Sequence, residues 1–284
     1  MASPVSIVIP AYNEEKVIGR CLRSLLAGAE PDELEVVVAV NGTTDRTAEI
    51  ARSFGPMVRV VETKTASKIA ALNLGDEHAR YFPRFYVDAD IVLDIRAIRE
   101  VAQVLRAGPA LAAAPRLEMD LTDRPWAVRA YYDVWTRMPY YDDGMIGSGV
   151  YALSEAGRAR WGKFPDVIGD DYYVWLHFAP GERVTVKSCS FRVRPPNSVE
   201  GMIKIFTRVR AGNAEINTKY PELAQRGVPQ YRESALRVLS DPSLWPKVPV
   251  YAAIVGFSKI KGAERARKKG AEVAWTPEQS SREG

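Results

Sequence analysis

Short apolar runs alternate with amphipathic runs along the first hundred residues of the chain. The apolar runs occupy residues 6–10, 34–40, 58–61 and 84–87. Strands that are apolar on both faces are typical of a parallel sheet covered by helices. The intervening spacing predicts helices over residues 17–26, 44–53 and 67–79. The pattern therefore predicts an α/β fold with a mostly parallel sheet, and it places N-caps at Thr43 or Thr44 and at Ser67.

Beyond residue 95 the pattern is less regular. It predicts a helix over residues 95–107, strands over 111–119, 147–153 and 183–193, and an aromatic helix over 126–141. The chain reads as helical from Ser198 onward, and Pro195-Pro196 is a natural boundary. We therefore expect an α/β domain over residues 1–195 and a helical C-terminal extension over residues 196–284 that ends in a loose tail.

Composition excludes several classes of function. The chain has 284 residues, and its formal net charge of +4 suits an anionic small substrate or membrane surface but is too small to indicate nucleic acid. Cys21 and Cys189 are the only cysteines, which argues against a disulfide framework or a zinc site and favours a reducing compartment. His78 and His177 are the only histidines, so a His-ligated metal or a Ser-His-Asp triad is not expected.

The sequence also bears on localisation. A strand is reached by Val5 with no basic, long apolar leader before it, and no apolar run reaches 18 residues. These features predict neither a cleaved signal peptide nor a spanning helix. We therefore expect a cytoplasmic protein.

Two carboxylates follow the fourth apolar run. Asp88 and Asp90 come directly after Phe85-Tyr86-Val87. In open α/β sheets, ligands bind beyond the carboxyl ends of the strands. Two acids there could hold a hard divalent cation and, through it, a diphosphate. Taken alone, the pair could equally cap the next helix.

Three further motifs give the acidic pair a context. They are Pro-Ala-Tyr-Asn-Glu-Glu at 10–15, Asn-Gly-Thr-Thr-Asp-Arg-Thr at 41–47 and Lys-Ile-Ala-Ala-Leu-Asn-Leu-Gly at 68–75. In this order and spacing, the four motifs resemble the family 2 glycosyltransferases, inverting enzymes of the GT-A fold. The resemblance is dense over residues 5–93 and thinner through 147–149 and 170–171. It implies a Rossmann-like GT-A domain that binds a nucleotide sugar and catalyses its transfer.

The resemblance implies a donor pocket at the first two strand ends. The nucleoside would be held by Pro10, Ala11, Tyr12 and Glu14. Asn41 stands where the commoner family pattern has a pair of Asp residues, and an amide offers a base both a donor and an acceptor. The identity of the nucleoside base therefore stays open. Two purely structural interpretations also stay open. The negative charge of Glu14 could favour a helix start, and Asn41-Gly42 could form a turn.

The same resemblance assigns the diphosphate side of the pocket. Asp90 resembles the metal ligand of the family, and Asp88 resembles the residue that contacts sugar or ribose and stands beside the metal. Lys68, at a helix start, would reach a phosphate, unless it is an ordinary surface lysine. Oxygen ligands without histidine favour Mg²⁺ or Mn²⁺, which would stabilise charge on the leaving group.

An acidic pair before a later helix would supply the catalytic base. The family usually has Glu-Asp there, and this chain has Asp170-Asp171. We expect Asp171 to take the acceptor proton and Asp170 to contact acceptor or backbone, although both could merely charge a helix N-terminus. Asp142-Asp143 is a weaker candidate. Gly147, Ser148 and Gly149 would let an acceptor approach the backbone.

Arg208 is the last candidate donor contact. Arg208-Val209-Arg210 lies where processive relatives have an Arg-Trp element, and Val in place of Trp argues against a polysaccharide synthase with its own channel. A solvated helix face explains Arg208 equally well.

Residues 246–257 are apolar and aromatic, and residues 259–269 are rich in Lys and Arg. The combination resembles an interfacial helix with a basic flank, too short to span a bilayer. A helix packed on the domain with a soluble basic tip is the other interpretation. Membrane contact would make a lipid-linked acceptor more plausible.

We therefore expect a metal-dependent inverting glycosyltransferase that moves one sugar from a nucleotide diphosphate to a hydroxyl of a glycan, lipid or small molecule. Nucleotidyl transfer also uses carboxylate-bound metal, but the first strand is not followed by a Gly-rich phosphate loop. The non-enzyme alternative is a catalytically degenerate GT-A domain that serves as a binding module.

Overall fold

The computed structural model describes residues 3–138, 141, 144, 147–225 and 236–268, with the backbone alone for 265–268. It divides the chain into two compact units. The first unit contains residues up to 118, 144–166 and 178–193, and the second contains 119–143, 167–177 and 194 onward. The domain boundary expected at residue 195 stays a prediction.

The first unit is built on a seven-stranded sheet with the order β3-β2-β1-β4-β6-β5-β7. β1 pairs in parallel with β2 and β4, and β2 pairs in parallel with β3, whereas β6 runs antiparallel to β4 and β5. The strands are β1 (Val5–Ala11), β2 (Leu34–Asn41), β3 (Val58–Thr63), β4 (Arg84–Val87), β5 (Ala112–Met119), β6 (Val150–Leu153) and β7 (Arg183–Val193). The predicted α/β fold with a mostly parallel sheet is confirmed. Because the chain order reverses between β1 and β4, a crevice for a ligand is expected at their carboxyl ends.

Helices of the first unit flank this sheet. They are α1 (Ile18–Leu26), α2 (Thr47–Arg52), α3 (Lys68–His78), α4 (Ile95–Ala107) and α6 (Glu155–Arg158). Ser67 caps α3 by accepting a hydrogen bond from Ala70 N, as predicted. The caps predicted at Thr43 or Thr44 are wrong, because α2 begins at Thr47 and the Asp45 carboxylate accepts from Thr47 N.

A buried ion network fastens α3 to the sheet. The Asp76 carboxylate lies 2.5 Å from Arg84 Nη1 and 2.6 Å from Arg158 Nη2, and it accepts from Tyr86 Oη at 2.6 Å. At Gly75, one residue earlier, an added Cβ would lie only 2.5 Å from Val8 Cγ1. The close approach fixes the position of α3, and with it Lys68 at the first turn.

The described part of the second unit is helical, which confirms the helical character expected after residue 195. It contains α5 (Trp126–Trp135), α7 (Asp170–Leu176), α8 (Val199–Lys219), α9 (Pro221–Ala224), a 3₁₀ helix (Pro242–Lys247) and α10 (Val248–Lys268). The core of this unit joins α5, α8 and α10 through Val128, Tyr131, Tyr132, Met202 and Ile254. The helix predicted over 126–141 is not continuous, because α5 ends at Trp135 and Thr136 follows as its C-cap, while Tyr141 is again helical. The predicted tail lies outside the described residues.

None of the described helices has an apolar stretch long enough to cross a membrane.

Candidate active site

The loops after β1 and β2 are tied together at the carboxyl edge of the sheet. Asn13, with φ 53°, accepts a hydrogen bond from Thr44 N at 2.9 Å, and Glu14 N donates to Thr47 Oγ1 at 2.8 Å. Glu14 is only 4% exposed, so its carboxylate lies inside this loop pair. The sequence motifs at 10–15 and 41–47 therefore form one structural element.

Asn41 ends β2 as a buried amide. Its side chain is 1% exposed, and Nδ2 has no hydrogen-bond partner among the described residues. Gly42 follows with φ 61°, and an added Cβ there would lie 2.9 Å from Ala66 Cβ. The chain turns tightly at this point and leaves the amide at the edge of the sheet, in register with Thr63 on β3.

The acidic pair follows β4 as predicted. Lys68 Nζ lies 2.9 Å from Asp88 Oδ1, so the first residue of α3 meets the end of β4. Arg20 Nη2 donates to the carbonyl oxygen of Asp90 at 3.4 Å. Both carboxylates are partly exposed, which leaves them accessible to a ligand.

The charges around this acidic pair also affect the pKa of the Cys21 thiol. Burial raises the pKa of Cys21, and the carboxylates of Asp90, Asp88 and Glu14 raise it further, while Arg20 opposes them. Glu14 from the loop after β1 and the two acids after β4 thus act electrostatically on the same buried thiol. The raised pKa keeps the thiol protonated at neutral pH, so Cys21 is not a nucleophile here.

The Gly147–Gly149 turn packs against the acidic pair. Asp88 N donates to Gly149 O at 2.8 Å, and an added Cβ at Gly149 would lie 2.6 Å from Ile91 Cδ1. Gly147, Ser148 and Gly149 all have positive φ, 125°, 56° and 102°. Ser148 is strained in this region, and such strain clusters at functional sites.

Asp170 and Asp171 lie in the second unit, in the first turn of α7. Asp170 is 5% exposed, whereas Asp171 is partly exposed and accepts from Tyr172 N at 2.8 Å. The turn before α7 packs closely on α8, because an added Cβ at Gly212 would lie 3.0 Å from Ile168 Cβ. The other acidic candidate, Asp142-Asp143, lies outside the described residues.

Two aromatic residues beside Asp171 were not singled out from the sequence. Tyr172 and Trp175 stack with ring centroids 6.1 Å apart and an interplanar angle of 15°, and Tyr172 Oη donates to Asn217 Oδ1 on α8 at 3.1 Å. On a helix, Trp175 lies four positions after Asp171 and shares its face, and it lies three positions after Tyr172, which lets the two rings meet. The four-residue spacing between Asp171 and Trp175 is the sequence feature that could have identified these aromatic residues. Arg20 was also missed, and its contact with Asp90 O spans 70 residues, which no local pattern reveals.

Arg208 and Arg210 have different surroundings. Arg210 Nε donates to Ser258 Oγ at 2.9 Å, and its Cβ lies 2.9 Å from a Cβ added at Gly262, so Arg210 is packed against α10. Arg208 is partly exposed on α8. The donor contact expected of Arg208 stays a prediction.

The structure thus gathers most candidates in two groups. The first unit brings together the ends of β1, β2 and β4 with the first residue of α3 and the turn after residue 146: Pro10, Ala11, Tyr12, Glu14, Asn41, Lys68, Asp88, Asp90, Gly147, Ser148 and Gly149. The second unit holds Asp170, Asp171 and Arg208.

A curated enzyme is similar to part of the chain. The chain is 41% identical over 91 residues to 4,4'-diaponeurosporenoate glycosyltransferase of Staphylococcus aureus, an alignment that covers 31% of this chain. The match spans about a quarter, 24%, of that relative's length.

Solved structures with the same fold cover much more of the chain. A mannosyltransferase from Pyrobaculum calidifontis, in complex with GDP-Man and Mn²⁺, has a TM-score of 0.59 at 20% identity and covers 94% of this chain and 79% of its own. Glucosyl-3-phosphoglycerate synthase from Mycobacterium tuberculosis, with Mn²⁺, UDP and glucosyl-3-phosphoglycerate, has a TM-score of 0.54 at 17% identity and covers 81% and 82%. These likenesses confirm the GT-A fold. Residues 6–156 match the family described as Glycosyl transferase family 2, and because that match spans more than half of the chain, the chain belongs to this family.

Proposed function

We propose that the protein transfers one sugar, with inversion and with a divalent cation, from a nucleotide diphosphate to an acceptor hydroxyl. The observation that carries the proposal is the buried amide of Asn41. A buried donor without a partner costs about 1–3 kcal/mol, so its retention at the edge of the sheet favours a bound ligand that accepts its hydrogen bond. A carbonyl oxygen of a nucleoside base supplies such an acceptor.

The diphosphate would lie beside the base, over Lys68 and the acidic pair. Lys68 has room for a phosphate oxygen, because its ion pair with Asp88 is partly exposed, at 22% and 38% of the two side chains. The ammonium would then be shared between Asp88 and the phosphate.

The residues present fit Mg²⁺ or Mn²⁺. Asp88 and Asp90 offer carboxylate oxygens only, the donors these ions prefer, and no third acidic, histidine or cysteine ligand joins them in a cluster within the described residues. Two carboxylates suffice where substrate phosphates and water complete the coordination. A bound cation would supply Lewis-acid stabilisation of the negative charge on the leaving diphosphate.

Asp171 would act on the acceptor. As the bond between the anomeric carbon and the diphosphate oxygen breaks, the acceptor oxygen bonds to the opposite face of that carbon and its proton passes to the Asp171 carboxylate. A single displacement of this kind inverts the anomeric configuration. Asp170, which is buried, would hold the turn or contact the acceptor, and Arg208 would contact the diphosphate.

Two surfaces would receive the acceptor. The Gly147–Gly149 turn presents backbone without bulky side chains, and Tyr172 and Trp175 present a stacked aromatic surface beside Asp171. Flat aromatic faces suit a sugar ring or an apolar chain. A glycan, a lipid-linked sugar and a small molecule are therefore all within the proposal, as are a cytoplasmic location and peripheral membrane contact through residues 246–269.

Calorimetric titration with UDP, GDP, CDP and dTDP, each with and without Mn²⁺, tests the proposal. At least one nucleotide should bind in a Mn²⁺-dependent manner, and the corresponding nucleotide sugars should be hydrolysed slowly without acceptor. The Asp90→Asn variant should lose the Mn²⁺ dependence. The matched control is Asp94→Asn, because Asp94 caps α4 through Ala97 N and has no role in the site. If none of the four nucleotides binds, the transferase assignment fails.

A further inference from the structure

Exposed large apolar side chains, in the part of the chain that the structure describes, belong to the second unit. Among the described residues, seven large apolar side chains are exposed, and all belong to this unit: Trp126, Val209, Leu236, Leu239, Trp245, Phe257 and Ile260. Five of them fall between residues 236 and 260. A charged, compact first unit thus contrasts with a helical unit that leaves apolar surface in water, which marks an interaction site.

The outer face of α10 is the best-defined part of this surface. Ile254 and Ser258 are buried at 3% and 0% exposure and face the core of the unit, together with the buried Gly262. At about 100° per residue, Ile260 lies on the side of the helix opposite Ser258 and Phe257 lies at the flank of that side. Both are about 60% exposed, at 62% and 59%.

Small residues fill the rest of the outer face. Ala252, Ala253 and Ala263 are exposed, and Gly256 is partly exposed, so the face is apolar from residue 252 to 263. Glu264 is the acid at its end. A helix that is apolar on both its inner and its outer side is not explained by packing on its own unit alone.

Lysines stand on both sides of this apolar strip. Lys259 and Lys261 are exposed and lie on opposite flanks of Ile260, and neither forms an ion pair within the described residues. The sequence adds Arg265, Arg267 and Lys268 in the last turns of the helix. Apolar residues flanked by cations are the composition of helices that lie in the interface of an anionic bilayer.

We propose that the outer face of α10 docks on an anionic lipid bilayer, with Phe257 and Ile260 entering the interface and Lys259 and Lys261 meeting the headgroups. A second copy of the chain fits this face less well, because a symmetric contact would bring the same lysines against each other. The inference makes the membrane contact of the proposed function specific. It does not depend on sugar transfer, because lipid binding is measured without donor or turnover.

Vesicle flotation with the full chain tests this docking. The protein should float with vesicles of phosphatidylcholine and phosphatidylglycerol, bind phosphatidylcholine alone weakly, and detach as ionic strength rises. Phe257→Ser and Ile260→Ser should each lower the partition coefficient about tenfold, and Lys259→Gln and Lys261→Gln about fivefold each. Val209→Ser on α8 and Lys187→Gln on β7 are the matched apolar and basic controls, and both should bind like the wild type.

The outcomes separate the occupants of the face. Because Phe257 and Ile260 are exposed, their serine variants should keep the wild-type melting temperature, so a lost partition reports binding and not folding. The proposal would be overturned if the full-chain protein did not float with anionic vesicles. It would also be overturned by a dimer in sedimentation velocity that Ile260→Ser converts to monomer, since the occupant would then be a second copy. Nucleotide affinity is unchanged in either case, which keeps this result apart from the transferase test.

Discussion

Replacing Asn41 with leucine is expected to strengthen the fold while weakening nucleotide binding. The amide is 1% exposed and its Nδ2 has no partner among the described residues, a situation that costs about 1–3 kcal/mol. Leucine has the same branched shape as asparagine but no polar side-chain atoms, so Asn41→Leu removes this cost. We expect the free energy of unfolding to rise by about 1 kcal/mol, which for a chain of this size raises the melting temperature by about 2–4 °C.

The same substitution removes the hydrogen bonds offered to a base. Leaving base atoms buried without a partner costs about 1–3 kcal/mol, so the affinity for the cognate nucleotide should fall about tenfold or more. Urea denaturation measures the first effect and titration calorimetry with the nucleotide panel measures the second. A gain in the free energy of unfolding together with a loss of nucleotide affinity would indicate that the amide serves ligand binding and not the fold.

Asn73→Leu is the matched control, because Asn73 is a satisfied amide in the same unit. Its Nδ2 donates to Phe164 O at 3.0 Å, and its Oδ1 accepts from Phe164 N at 2.8 Å. This variant should lose about 1–3 kcal/mol of stability and keep its nucleotide affinity. If Asn41→Leu also destabilised the protein, the Asn41 amide would be a structural group, and an unchanged nucleotide affinity would remove it from the pocket.

Three further changes address the acidic groups. Asp90→Asn should abolish the Mn²⁺-dependent part of donor binding, seen as loss of the difference between titrations with and without Mn²⁺. Asp171→Asn should keep donor affinity but lower transfer by about 10²–10⁴-fold, read as turnover once an acceptor is found, and retained turnover would place the base elsewhere. Burial acts to raise the pKa of Asp76, but hydrogen bonds from Tyr86 and Arg158 and the Arg84 charge lower it overall, so its stabilisation is complete at neutral pH and lost as pH falls below about 4. Asp76→Asn should cost about 3 kcal/mol at pH 7 and flatten this acid-side decline in urea titrations, whereas an unchanged decline would mean that other carboxylates cause it.

Most of the parallel part of the sheet could be predicted because β1, β2 and β4 are buried on both faces. Such strands are continuous apolar runs, and the acids after residue 87 mark where one of them ends. Family membership then followed from the order of the motifs.

Features that depend on distant partners could not be predicted. The early end of α5 at Trp135 contradicts a helical aromatic pattern that continues to Tyr141, because tertiary packing decides where such a run stops. The ion pair between Lys68 and Asp88 and the contact of Arg20 with Asp90 need the fold first. The orphaned state of the Asn41 amide is likewise visible only once every neighbour is placed.

The two units are interleaved along the chain, and this bears on how the protein is made. The backbone passes between them five times, after residues 118, 143, 166, 177 and 193. The apolar side chains of α5, among them Tyr131, are synthesised long before their partners Met202 and Ile254. When a nascent chain has reached residue 195, the apolar side chains of α5 are therefore still exposed and prone to aggregation. Ribosome-bound chaperones are expected to bind α5 until α8 and α10 have been synthesised.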